Sequence, residues 1–66
     1  MNIIVNGMER VVTSQKTIAE ILRECNIARH GIAVAVNEEI VPHTTHETHI
    51  LTEGDRVEII RAIGGG

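Results

Sequence analysis

Gly64, Gly65 and Gly66 close the sequence directly after a strand-like stretch, DRVEIIRAI. Glycine has no Cβ, so such a run can approach another backbone closely and take φ values closed to other residues. Its last residue presents a backbone carboxylate, the acyl group that a free chain end offers. At ordinary glycine usage, three terminal glycines arise by chance in roughly 0.03 % of chains. The run therefore asks for a use beyond a flexible end.

Two other sets of residues could do chemistry. His43, His46 and His49 recur every third position, and histidine is a common metal ligand. Their spacing matches no familiar zinc pattern, so the expectation is a solvated loop or a single irregular turn without metal. Cys25 is the one cysteine. It could relay sulfur as a persulfide only if it were exposed in a positive surrounding. It falls instead on an apolar helical stripe, which predicts a core role. No nucleophile, base and orienting group occur together, so the chain reads as a carrier or co-substrate rather than an enzyme.

Composition narrows the classes further. With 66 residues, the chain makes one small domain. Its core must be aliphatic, because Phe, Tyr and Trp are absent while Ile and Val contribute eleven and seven residues. β-Branched residues of this kind favour strands. A net charge of −3 with no basic patch, and no aromatic to stack on a base, argues against nucleic acid. A single cysteine fits a reducing compartment. The early apolar run Ile3–Val5 is too short for a signal peptide or membrane span. These features predict a cytoplasmic protein with no membrane partner.

The elements that must position the tail follow from period and punctuation. NIIV, then Asn6-Gly7, then MERVV is a hairpin signal, because Asn-Gly tolerates the two positive φ angles of a type I′ turn. Strands are predicted over Asn2–Val5 and Met8–Thr13. Ile18, Ile21, Leu22 and Cys25 then recur at i, i+3, i+4 and i+7, one face of a helix. Thr17 and Glu20 have the spacing of a capping box, and Gly31 is the expected left-handed stop. IAVAV alternates as a strand, NEE reads as a turn, and IV is a short strand ended by Pro42. Ile50 and Leu51 should tuck beneath as a satellite of the core. TEGD is a turn, and Arg56–Ala62 is the last strand, with Val57 and Ile59 on one face.

One helix against a mixed sheet is an α+β two-layer domain. The first and last strands belong side by side at its centre. They would run parallel, since a helical crossover separates them. This is the β-grasp, or ubiquitin-like, layout, expected over residues 1–63 with a flexible tail at 64–66.

AVAVNEEIVP and LTEGDRVEIIRAIGGG, with MNIIVNG and TIAEIL before them, resemble the ThiS family, the sulfur carriers of thiamine thiazole synthesis. The resemblance covers nearly the whole chain. It departs where the family often has an arginine after the proline and an aromatic shortly beyond; here stand His43 and a Thr/His segment. The resemblance implies that Gly66 is adenylated by an enzyme of the ubiquitin-activating type and then converted to a thiocarboxylate by a sulfur donor. Thiazole synthase would take the sulfur. No cofactor is held stably; ATP is used by the activating partner. Gly65 and Gly64 would enter the partner's active site, Gly65 giving reach and Gly64 serving as spacer. Ile4, Ala35 and Ile60 alternate out of phase with the helix-covered residues. If exposed, they form a candidate docking patch for the activating enzyme or thiazole synthase. Two other functions remain open: a ubiquitin-like modifier conjugated through Gly66, and a sulfur carrier for another pathway such as molybdopterin or cysteine synthesis.

Overall fold

The computed structural model describes residues 1–13, 15–28 and 30–61. Five strands and one helix run in the order β1 (Asn2–Val5), β2 (Met8–Val11), α1 (Ile18–Glu24), β3 (Ile32–Val36), β4 (Glu39–Val41) and β5 (Arg56–Arg61). The sheet order is β2-β1-β5-β3-β4. β1 and β5 are parallel neighbours, and every other pairing is antiparallel. The expected central pair is therefore present, and the architecture is the β-grasp. The strand that leads into the tail, β5, is flanked on both sides.

Both hairpins turn in two residues. Asn6 and Gly7 have φ of 50° and 82°, and Asn37 and Glu38 have φ of 52° and 73°. Two positive φ angles match the right-handed strand twist. β2 ends at Val11, short of the expected Thr13. Val12 instead turns inward, 4 % exposed, and donates its N–H to the Met1 carbonyl at 2.8 Å.

The helix starts as its spacing predicts. The Glu20 N–H donates to Thr17 Oγ1 at 3.2 Å, and the Thr17 N–H donates to Glu20 Oε1 at 2.8 Å. That backbone donor holds the Glu20 carboxyl below the usual carboxylate range. The stop differs from expectation. Asn26, at φ 57°, is the left-handed residue; its N–H donates to Arg23 O and the Ile27 N–H to Leu22 O. This Schellman closure ends α1 at Glu24, with its left-handed residue five positions before Gly31.

Ile18, Ile21 and Leu22 are buried against Ile3, Val34 and Val57 of the sheet, while Cys25 packs half-buried at the helix end. Ala19, 0 % exposed, widens the buried stripe beyond the predicted four positions. Leu51 belongs to this core at 0 % exposure, whereas Ile50 is 51 % exposed. The two do not tuck in together, because the bridge from Ile50 to Thr17 is extended backbone and adjacent side chains point oppositely.

The histidine segment forms a single short turn, one of its two expected forms, but one of its residues is turned inward. His43–Thr45 form a 3₁₀ turn, and His46 is 1 % exposed. Its Nε2 lies 3.2 Å from the Val41 carbonyl and so carries the proton, leaving a buried Nδ1 without a hydrogen-bond partner. The segment's backbone finishes the helix cap: the Ile18 N–H donates to His49 O and the Ala19 N–H to His46 O. With Thr17 Oγ1 serving Glu20, the first three helical N–H groups are all satisfied. His46→Ala is expected to cost about 2 kcal/mol or more, as a buried large-to-small change. His43→Ala and His49→Ala should each stay within about 0.5 kcal/mol, since the His43 side chain is exposed and His49 serves the cap through its backbone carbonyl. Urea midpoints of the three variants check this; equal midpoints would contradict it.

Candidate functional site

The candidate site has two described parts: β5, which precedes the terminal glycines in sequence, and the sheet face opposite the helix. β5 pairs with β3 from Ile32↔Arg61 to Val36↔Val57, and with β1 only at Ile4↔Arg56 and Val5↔Val57. Val57 faces the helix at 2 % exposure and Ile59 is half-buried on the same side. Arg56, Glu58 and Ile60 therefore point to the open face. Gly64, Gly65 and Gly66, with Ala62 and Ile63 before them, lie outside the described residues, as does the expected boundary at 63.

The open face groups the expected patch differently. Ile60 is 53 % exposed, and its partner across the strands is the exposed Ala33. Ala35 stands two residues further along β3, between Glu58 and Ile40. At 7 % exposure Ala35 adds little area of its own, and Ile40, 65 % exposed, supplies what it lacks. Ile4, half-buried, is opposite Arg56, four residues along β5 from Ile60, or about 13 Å at ordinary strand rise. The structure thus brings Ile60, Ala33, Ala35 and Ile40 together and leaves Ile4 apart, across Arg56 and Glu58. Ile40 and Ala33 were missed in the sequence because the register of the two-residue β3–β4 turn decides which residue of the short strand faces out.

Charge borders the patch. Glu58 lies beside Ala35, and Arg56 approaches Glu38 at 4.0 Å with both side chains well exposed. A solvated pair of this kind adds little stability, leaving both groups available to a partner. Among the described residues, no three His, Cys, Asp or Glu side chains gather where they could hold a metal ion. No described helix is long and apolar enough to cross a membrane.

Comparison with known proteins places this architecture. The ThiS family profile matches residues 3–66. The sulfur carrier protein ThiS of Escherichia coli is 30 % identical over 66 residues, covering all of both chains. A thiazole synthase of Paramagnetospirillum magneticum is 35 % identical over the same length; this chain spans one fifth (20 %) of it. The crystal structure of the thiamine biosynthesis protein ThiS from Geobacter metallireducens superposes with a TM-score of 0.86 at 28 % identity, over the whole of both chains. A solution structure of a thiamine biosynthesis protein from that organism gives 0.80, covering all of this chain and 88 % of the other. A β-grasp sheet with an apolar open face beside its last strand, matched from residue 3 through the terminal glycines, makes the chain a member of the ThiS family.

Proposed function

We propose that the chain is a sulfur carrier for thiazole formation in thiamine biosynthesis, loaded at Gly66. The observation that carries this reading is that the family match and both named ThiS relatives extend through the terminal glycine run. The thiazole synthase relative, which contains a segment similar to the whole of this chain, supports a thiazole synthase as the acceptor.

The chemistry follows from the carboxylate. A carboxylate is a poor acyl donor, so an oxygen of Gly66 first attacks the α-phosphorus of ATP on an activating enzyme. The P–O bond to the β-phosphate breaks and pyrophosphate leaves. The acyl-adenylate now has AMP as a good leaving group. A donor-protein persulfide attacks the acyl carbon and AMP departs, leaving an acyl disulfide. A second thiolate then attacks the donor's sulfur, so that the S–S bond breaks, the thiocarboxylate is released and the two thiols leave as a disulfide. Gly65 and Gly64 let the backbone approach the nucleotide closely, since neither carries a Cβ. The folded domain is the handle and acts as a co-substrate, not a catalyst. Such a cycle would suit the cytoplasm, the reducing compartment expected from the single cysteine.

The open face of Ile60, Ala33, Ala35 and Ile40 is the surface through which the activating enzyme would hold the domain. Ile60→Glu should raise KM for the carrier about tenfold, the loss expected for one half-buried aliphatic contact, and leave the unfolding midpoint nearly unchanged. The function itself is tested by ATP–pyrophosphate exchange on an adenylating partner of the ubiquitin-activating type. Exchange should depend on the chain and on its free C-terminus. Exchange without the chain would contradict the carrier reading, and amide products on protein lysines with no thiocarboxylate would favour the modifier reading instead.

A further inference from the structure

β5 outruns its neighbour β1. The last β1–β5 partners are Val5 and Val57, after which β1 reverses through Asn6 and Gly7. The Asn6 N–H still reaches Val57 O, at 2.9 Å. The next β5 donor on that edge, the Ile59 N–H, has no strand opposite it. Asn6 Oδ1 accepts it at 2.8 Å, across 53 residues of sequence. A single side-chain oxygen thus extends the ladder beyond the end of β1. On the other edge, Glu58–Arg61 are paired to β3 throughout. The far end of β5 is held similarly by the second tight turn: Asn37 Oδ1 accepts from the Arg56 N–H at 3.0 Å, and Asn37 Nδ2 donates to Asp55 Oδ1 at 3.0 Å.

We infer that Asn6 is a positioning residue for the acyl chemistry proposed above, and the inference rests on that reading. Ile60, in the docking face, follows the residue that Asn6 holds, and Arg61 stands five positions before Gly66. Asn6 therefore gives the end of the strand that carries the reactive terminus a second anchor, opposite the β3 ladder. Misplacement of a reacting group by about 1 Å can cost about a hundredfold in rate. A looser β5 end leaves docking intact and slows the chemical step.

Two substitutions separate this role from the turn. Asn6→Gly keeps the positive φ that the turn needs and removes the acceptor. Asn6→Asp keeps a side-chain oxygen and tolerates the same backbone. Asn37→Gly removes comparable bonds at the end of β5 far from the tail. The readouts are amide hydrogen exchange at Ile59, and kcat and KM of the activating enzyme for the full-length carrier. In Asn6→Gly, exchange at Ile59 should quicken about fivefold to tenfold, the equilibrium worth of one hydrogen bond. Its kcat should fall about tenfold with KM within about twofold. Asn6→Asp should restore both, and Asn37→Gly should leave kcat unchanged. The inference is overturned if Asn6→Gly keeps wild-type kcat, if Asp fails to rescue it, or if Asn37→Gly slows the reaction as much. A wild-type chain that is never adenylated would overturn the carrier reading itself, whereas an adenylated wild type matched by Asn6→Gly sinks the positioning role alone.

Discussion

A chain lacking Gly65 and Gly66 will take up no sulfur, yet will unfold at the same denaturant concentration as the intact chain. The two halves of this expectation have separate causes. The described core residues lie between Met1 and Ile59, and glycine carries no side chain to bury, so removing two glycines should leave the stability unchanged. In the chemistry proposed above, the reacting carboxylate has to reach into the activating enzyme, and removing two residues withdraws it by about 7 Å of extended chain. That exceeds the roughly 3–3.5 Å within which reacting atoms must meet. Gly65→Val should act in the same direction, because a β-branched side chain stiffens the backbone and blocks close approach. One residue added after Gly66 should also prevent loading, by placing its carbonyl in a peptide bond. Intact-mass measurement after incubation with the activating enzyme, ATP and a sulfur donor reads all three variants, and urea titration confirms their fold. A truncated chain that still gains sulfur would remove Gly66 as the site.

Leu22→Ala should destabilise the domain by about 2–5 kcal/mol, the range for burying a cavity where a fully enclosed leucine stood. Leu22 is 0 % exposed and sits mid-stripe on the one described α-helix. A 66-residue domain has roughly 3–10 kcal/mol to lose in total, so the variant should be partly unfolded at ambient temperature or close to it. There are no aromatic side chains nearby to collapse into the space, because the chain has none. The backbone carbonyl of Leu22 also receives the Ile27 N–H that closes the helix. Substitution leaves that bond in place, so the loss measured is one of packing. A denaturation midpoint equal to wild type would mean that the helix does not pack on the sheet through this face.

Much of this molecule could be read before its structure. The Asn6-Gly7 turn, the Thr17–Glu20 capping box and the period of Ile18, Ile21 and Leu22 are local signals, each set by residues within one turn of one another. The parallel contact of β1 and β5 followed from a topological rule rather than from local preference. What escaped was decided at longer range or by unexpected residue types. Asn26 ends the helix where Gly31 was expected, because a short polar side chain also tolerates the left-handed region. Glu38 occupies that region too, at φ 73°, although glutamate gives no turn signal of its own. His46 is buried because its ring fills space beside Val41 and its carbonyl caps the helix, neither of which its spacing from His43 and His49 reveals. The apolar patch on the open face centres on Ile40 rather than Ile4 for a similar reason: β5 meets the β3–β4 hairpin there, and only the registers say which residues share a row.

The central claim is that this fold delivers a terminal glycine carboxylate for conversion to a thiocarboxylate. Mass spectrometry of the chain after reaction with its adenylating partner, ATP and a sulfur donor tests it most directly. The account predicts a mass increase equal to replacing one oxygen by sulfur, carried by the C-terminal peptide and localised to Gly66, and its loss on transfer to thiazole synthase. A chain that gains no sulfur, or one recovered only as an amide on protein lysines, would contradict it.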